Sequence, residues 1–292
     1  MKKLIEDLLK EGTVIADGSW GTQLQELGLP VGECPDIWNI TKPQMVEKVA
    51  KSYVEAGSKI ILTNTFRSNK IALNDFGYGD KVKEINKAGI EISKKAAEGK
   101  AFVFASVGPT GKMIMMGEAT EEEMFEAFKE QVQTISEAGA DGIIIETMSD
   151  LNEAKIALKA AKETALPVVV SMAFDSGKDK GFTMMGNSPE QTAKELTEAG
   201  ADVIGANCGQ GIEGFINICK RLKTSTDLPI WIKPNAGLPE FDGSKAVYKT
   251  SPAEFVKYVP DLLNSGVDFI GGCCGTNPEF IKAVIRKINT GK

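Results

Sequence analysis

A phrase recurs along the chain and limits what it can fold into. Glu55-Ala56-Gly57 leads into Lys59-Ile60-Ile61-Leu62-Thr63-Asn64, and Glu137-Ala138-Gly139-Ala140-Asp141 leads into Gly142-Ile143-Ile144-Ile145-Glu146. Glu198-Ala199-Gly200-Ala201-Asp202 leads into Val203-Ile204-Gly205-Ala206-Asn207-Cys208, and Asn264-Ser265-Gly266-Val267-Asp268 into Phe269-Ile270-Gly271-Gly272-Cys273. Each copy reads as a helix end, a glycine cap and a short apolar strand. The strands are continuously apolar rather than alternating, which is the pattern of a parallel sheet buried on both faces.

Further strands are expected at Thr13 to Asp17, Ala101 to Val107, Pro167 to Phe174 and Leu228 to Pro234. Amphipathic helices separate the strands, among them Pro43 to Ala56, Glu121 to Ala138 and Ser251 to Asn264. A doubly wound open sheet would show similar local patterns, but eight strands alternating with helices favour closure into a (β/α)8 TIM barrel. The 292 residues suit one such domain, spanning 1–292. Long loops are expected at Gly108 to Gly117, which carries Met113, Met115 and Met116, and at Asp175 to Gly186. A short amphipathic helix is expected over Met1 to Gly12, where Glu6, Asp7 and Lys10 break any signal-peptide pattern.

The net charge is −6, with no Lys/Arg block, so a nucleic-acid partner or an anionic membrane surface is not expected. No apolar run reaches membrane-spanning length, and a cytoplasmic protein is the expectation. Five cysteines are then unlike a disulfide framework and fit metal binding or plain burial. Histidine is absent, which removes Ser-His-Asp triads, Cys-His dyads and imidazole metal ligands.

In a barrel reading, Asp17, Asn64, Glu146, Cys208, Asn235, Cys273 and Cys274 all fall at strand C-terminal ends, where barrel active sites lie. Cys208 ends the sixth strand, and Cys273 and Cys274 end the eighth. Three thiolates with an open fourth position make a catalytic zinc arrangement, so the zinc site is expected at the C-terminal face. Buried thiols without metal are the plainer alternative. Asp17 can bind an ammonium group or cap its turn. Glu146, a carboxylate ending a buried strand, needs a partner, either a substrate ammonium or a lysine. Gly108-Pro109-Thr110-Gly111 is a tight turn or a phosphate nest. Cys219 shares a helical face with Phe215, Ile216 and Leu222 and is expected in the core; Cys34 is expected as an incidental thiol in a loop. Trp20, Trp38 and Phe66 are either core aromatics or a lining for a cationic donor.

These motifs, taken together and in order, resemble the homocysteine S-methyltransferase family: Asp17-Gly18-x-x-Gly21-Thr22, Thr63-Asn64-Thr65-Phe66, Gly108-Pro109-Thr110-Gly111, Glu146-Thr147, Asn207-Cys208, Pro234-Asn235-Ala236-Gly237 and Gly271-Gly272-Cys273-Cys274-Gly275. The resemblance runs from about Thr13 to the C-terminus. Within the family the chain is most similar to the homocysteine-binding module of cobalamin-dependent methionine synthase. The resemblance implies that Cys208, Cys273 and Cys274 hold Zn2+ and that Asp17 and Glu146 receive the homocysteine ammonium. It further implies that backbone N–H groups near Gly18 and Ser19 receive the carboxylate, and that Asn235 sits beside the metal.

The implied reaction is methyl transfer to the homocysteine sulfur, forming methionine. Arg67-Ser68-Asn69 stands where betaine-using members carry a tyrosine, so a methylated corrinoid, delivered by a corrinoid protein, is the expected donor. S-methylmethionine or S-adenosylmethionine is the alternative; the chain stops where a full methionine synthase would continue into folate- and cobalamin-binding modules. Two readings of other classes are a non-catalytic zinc or corrinoid-partner module and a barrel lyase using Lys59 or Lys233 as a Schiff-base amine.

Overall fold

A computed structural model describes residues 2–242 and 245–290. The strands are β1 (Val14–Ile15), β2 (Ile60–Ile61), β3 (Phe102–Val107), β4 (Gly142–Met148), β5 (Val168–Met172), β6 (Val203–Gly211), β7 (Ile230–Asn235), β8 (Glu240–Asp242), β9 (Lys245–Val247) and β10 (Phe269–Ile270). Eight of them pair in the order β1-β10-β7-β6-β5-β4-β3-β2, and every pairing is parallel. A parallel bridge between Ala16 and Ile60 joins the two ends, where Lys59 N–H donates to the Ile15 carbonyl at 2.8 Å. The sheet is therefore a closed (β/α)8 barrel, as the repeated phrase predicts. β8 and β9 form a separate antiparallel hairpin after β7.

The expected glycine caps hold at the ends of helices Pro43–Ala56 and Pro189–Ala199. Gly57 and Gly200 adopt φ of 100° and 88°, which glycine reaches without a Cβ clash. The expected helix Ser251 to Asn264 is instead broken into Pro252–Phe255, a 3-10 turn Val256–Tyr258 and Val259–Asn264. Pro260 has no N–H to continue the ladder.

The barrel interior is layered. Phe104, Ile144, Val169, Val203, Trp231 and Phe269 fill its lower part, with Ile5 of the N-terminal helix Lys3–Leu9 closing the bottom. The Phe104 and Trp231 rings stack with centroids 6.4 Å apart. Gly205 leaves the space that Trp231 needs, since a Cβ there would collide with the Trp231 backbone and Cβ. Side chains on a strand face the same way every second residue. Two residues on from that apolar layer come Ser106, Glu146, Ser171 and Lys233, and four on from Val203 comes Asn207; all five are buried. The barrel is thus dry at its base and polar at its C-terminal end. Among the described residues no helix is long and apolar enough to cross a membrane.

Candidate metal centre

Cys208, Cys273 and Cys274 meet at the C-terminal mouth. Their Sγ atoms all lie within 4.8 Å of one another, with Cys208 and Cys274 at 3.9 Å. The backbone is strained to bring them there. Cys208, on β6, has φ of 64° and Thr147, on β4 two strands away, 61°. Non-glycine residues in this region each cost about 1–3 kcal/mol and persist only where their surroundings fix them. Asn207 does the fixing. Its Oδ1 accepts from Thr147 N–H at 2.9 Å and from Ser171 Oγ at 2.7 Å; its Nδ2 donates to Thr147 Oγ1 at 2.7 Å and approaches Cys273 Sγ at 3.8 Å. The Cys273-Cys274 turn is tied to β7 on both sides. Cys273 N–H donates to the Pro234 carbonyl at 2.7 Å, and Ala236 N–H to the Cys274 carbonyl at 2.9 Å.

The thiols are mutually inhibitory. Cys208 and Cys274 are both pushed up to about 12. In each, the largest effect, a hydrogen bond with one neighbouring cysteine, lowers the value; the opposing bond with the other cysteine, burial and adjacent charge outweigh it. A cation among the three removes those costs, because it supplies the charge that the thiolates lack. Tyr248, reached through the β8–β9 excursion, packs its ring over Gly275 and lines the same cavity as Cys274.

A cavity of about 420 Å³ opens beside the thiols, with Glu146, Lys233, Trp20, Phe66 and Tyr248 among its walls. Glu146 is 8% exposed, and its Oε1 accepts from Ser106 Oγ at 2.5 Å. Burial raises its pKa, against the pull of Lys233 and Ser106. No protein donor reaches its second oxygen among the described residues.

Two of the expected substrate contacts are bonded to the chain's own groups. Asp17 does not face the cavity with a free carboxylate: it is wholly buried. Its Oδ1 takes Lys233 Nζ at 2.5 Å, and its Oδ2 takes Trp20 Nε1 and Leu62 N–H, each at 2.7 Å. Ser19 N–H is likewise engaged, donating to Thr276 Oγ1 at 3.2 Å. Gly18 lines the cavity, and its N–H has no acceptor among the described residues. Asn235 is buried at the end of β7, and its Oδ1 has no donor among the described residues.

The structure also separates alternatives that sequence left open. Trp38 is core, donating to Glu33 at 3.0 Å, whereas Trp20 and Phe66 reach the cavity. Cys219 is buried as expected; Cys34 is a free thiol in the loop before Pro35–Ile37, and it is buried, at 1% exposure. The Gly108-Pro109-Thr110-Gly111 turn holds the chain's own carboxylate, since Thr110 N–H and Oγ1 both donate to Glu153, at 2.7 and 2.6 Å. Lys59 is exposed and pairs with Glu11, away from the mouth.

Sequence reasoning undervalued Lys233 and missed Tyr248 and the bracing role of Asn207. A signal for Lys233 was present: a charge inside Ile230-Trp231-Ile232-Lys233 on a buried strand must have a partner.

Asp36, at the cavity rim, has its pKa raised from 3.8 to about 7 by burial, although Arg67 N–H and Ser68 Oγ both bond its Oδ2. The folded chain then holds this proton more tightly than the unfolded chain, so its contribution to stability falls as pH rises from about 4 to about 7. Asp36→Asn, whose Oδ1 can keep both bonds, is expected to gain stability over the native protein above pH 7 and to lose that advantage near pH 4. Denaturant titrations across pH check this; a stability difference independent of pH contradicts it.

The fold and site are those of a closed barrel with a three-thiol cluster, able to hold a metal ion, beside a cavity at its C-terminal mouth. Residues 14–288 match the homocysteine S-methyltransferase family, and the chain belongs to that family of methyltransferases. The methionine synthase of Mycobacterium tuberculosis is 28% identical over 301 residues, covering 97% of this chain and 25% of its own length. That of Mycobacterium leprae is 28% identical over 307 residues, with 98% and 25% covered. The chain therefore spans about a quarter of the length of these relatives. Among solved structures, the metallated homocysteine methyltransferase MmuM from Escherichia coli aligns with a TM-score of 0.80 at 20% identity, covering 98% of this chain and 99% of that one. Pyruvate carboxylase from Rhizobium etli aligns at 0.58 and 13% identity, covering 99% of this chain and 28% of that one. These structural likenesses are of fold.

Proposed function

We propose that this chain transfers a methyl group to the sulfur of homocysteine, forming methionine, with zinc held by Cys208, Cys273 and Cys274. The observation that carries the reading is the trio of thiols within 4.8 Å beside a buried carboxylate with a free oxygen. The donor set fits zinc: three sulfurs with no imidazole leave one place for a substrate sulfur. The orphaned Oδ1 of Asn235, on the strand end that is hydrogen-bonded to the cysteine turn, is a further acceptor suited to a cation nearby. Zinc bound there supplies a substrate thiolate at neutral pH.

The chain's own residues bind and orient. Glu146 receives the substrate ammonium on its free oxygen. Gly18 N–H faces the carboxylate. Asp17, which the family resemblance assigns to the same ammonium, is bonded to Lys233. Asn207, with Ser171 and Thr147, fixes the path of β6 at Cys208. The sulfur lone pair forms the new S–C bond as the methyl–donor bond breaks, and the donor leaves with that electron pair. No general base is required, which is consistent with a chain that has no histidine.

A methylated corrinoid, carried by a partner protein, is the proposed donor. Met115, Met116 and Met184 are 73%, 70% and 54% exposed on the loops after β3 and β5, at the face where the cavity opens, and Met side chains make adaptable contacts. A second reading rests on Trp20, Phe66 and Tyr248, whose rings line the cavity and suit a sulfonium such as S-methylmethionine or S-adenosylmethionine. A panel of methylcobalamin, both sulfoniums and betaine, each with homocysteine, is read as methionine formed. Turnover with methylcobalamin is expected. Turnover only with a sulfonium assigns the second reading, and none with any donor leaves a non-catalytic module.

A further inference from the structure

Cys208 and Arg67 stand on opposite sides of the mouth. Cys208 lies on β6 and Arg67 follows β2, and these strands are four apart in either direction around the closed eight-stranded barrel. One cavity reaches both. In a methyl displacement the departing atom lies beyond the methyl carbon, on the side away from the attacking sulfur. For a sulfur held at the thiols, that is the side where Phe66 and Arg67 stand.

Arg67 brings an uncompensated charge there. It is exposed at the rim, and its guanidinium packs 5.7 Å from the centre of the Phe76 ring. Among the described residues that guanidinium makes no hydrogen bond and no ion pair within 4.0 Å; the bond from Arg67 to Asp36 Oδ2, at 2.6 Å, comes from the backbone N–H. Burial holds the Asp36 carboxyl at a pKa of about 7, so near neutral pH it offsets only part of the charge. Asp17 is already matched by Lys233. The Trp20 and Phe66 rings in the same cavity attract a cation, by about two- to fivefold in affinity for an exposed contact. A like charge about 8 Å away, at an effective dielectric of about 20, lowers affinity about 30-fold, and about 10-fold after screening at an exposed group. The repulsion is the larger effect.

We infer that Arg67 sets the donor class: its guanidinium disfavours a methyl donor that carries positive charge, sulfonium or quaternary ammonium, and leaves a donor without net charge, such as methylcobalamin, unopposed. This deepens the methyl-transfer reading and rests on it.

Arg67→Lys, Arg67→Gln and Arg67→Glu step the charge at this position from positive through neutral to negative, and all keep the backbone N–H that bonds Asp36. Choline and its uncharged isostere 3,3-dimethyl-1-butanol are titrated into the protein loaded with zinc and homocysteine, with affinities read by NMR. Choline affinity is expected to rise about 10-fold in Arg67→Gln and about 10²-fold in Arg67→Glu, and to stay within about twofold in Arg67→Lys. The gains should shrink as salt is raised from about 20 mM to about 0.5 M, and 3,3-dimethyl-1-butanol should bind all four proteins alike. The kcat/KM for S-methylmethionine relative to methylcobalamin should rise in the same order. Choline affinity unchanged across the series, or a gain shared by the uncharged isostere, overturns the inference while leaving methyl transfer intact. Native turnover that favours S-methylmethionine over methylcobalamin does the same. Failure of the native protein to form methionine from any donor overturns both.

Discussion

Cys208→Ala, Cys273→Ala and Cys274→Ala are each expected to drop zinc from about one per chain to a small fraction and to bring methionine formation to background. Each variant removes one of three sulfurs that lie within 4.8 Å, and no His, Asp or Glu completes the cluster in its place among the described residues. Cys34→Ala and Cys219→Ala are expected to keep both zinc and turnover. Cys34 and Cys219 are buried apart from the cluster, and the Cys219 thiol reaches the Ser265 carbonyl, at 3.7 Å. Cys219→Ala should cost about 1 kcal/mol of stability through lost packing. Elemental analysis and a methionine assay on all five variants decide the matter; equal losses across the five mean that the cysteines act through folding and not through a metal.

Glu146→Gln is expected to weaken homocysteine binding by about 10²-fold or more while zinc content stays near one per chain. The amide can keep the bond from Ser106, so packing is spared, but the buried negative charge that meets the substrate ammonium is gone. The native pH dependence should agree. Burial raises the Glu146 pKa, so the ionised form that binds an ammonium is lost at a higher pH than for an exposed glutamate. Homocysteine affinity should therefore fall on acidification in the native protein and respond less in Glu146→Gln. Calorimetry across pH checks both; loss of zinc with homocysteine affinity kept reverses the assignment.

The barrel was legible because its cause is local and repeated. A glycine after each Glu-Ala or Asn-Ser pair and an apolar run after each glycine need no knowledge of distant contacts. Strand ends were less legible. β6 runs on to Gly211 through a register shift after Asn207, because the hydrogen bonds of the Asn207 side chain, which decide the strand's path, come from β4 and β5.

In the site, the cysteines and Glu146 could be placed from their positions at strand ends alone. Asp17 could not. Whether a strand-end carboxylate faces a ligand or a lysine depends on which residue stands two positions past Trp231 on a strand more than 200 residues away, as the 216-residue separation of Asp17 and Lys233 shows. Tyr248 was illegible for a related reason. It belongs to a β8–β9 excursion with no place in the strand–helix repeat, and only the folded chain brings it onto Gly275.

Zinc-edge X-ray absorption of the zinc-loaded protein, without and with homocysteine, tests the central claim most directly. Three sulfur neighbours per zinc are predicted for the protein alone and four after homocysteine is added, with Cys208, Cys273 and Cys274 as the constant three. A zinc shell of oxygen and nitrogen alone, or a sulfur count that homocysteine does not change, contradicts the account.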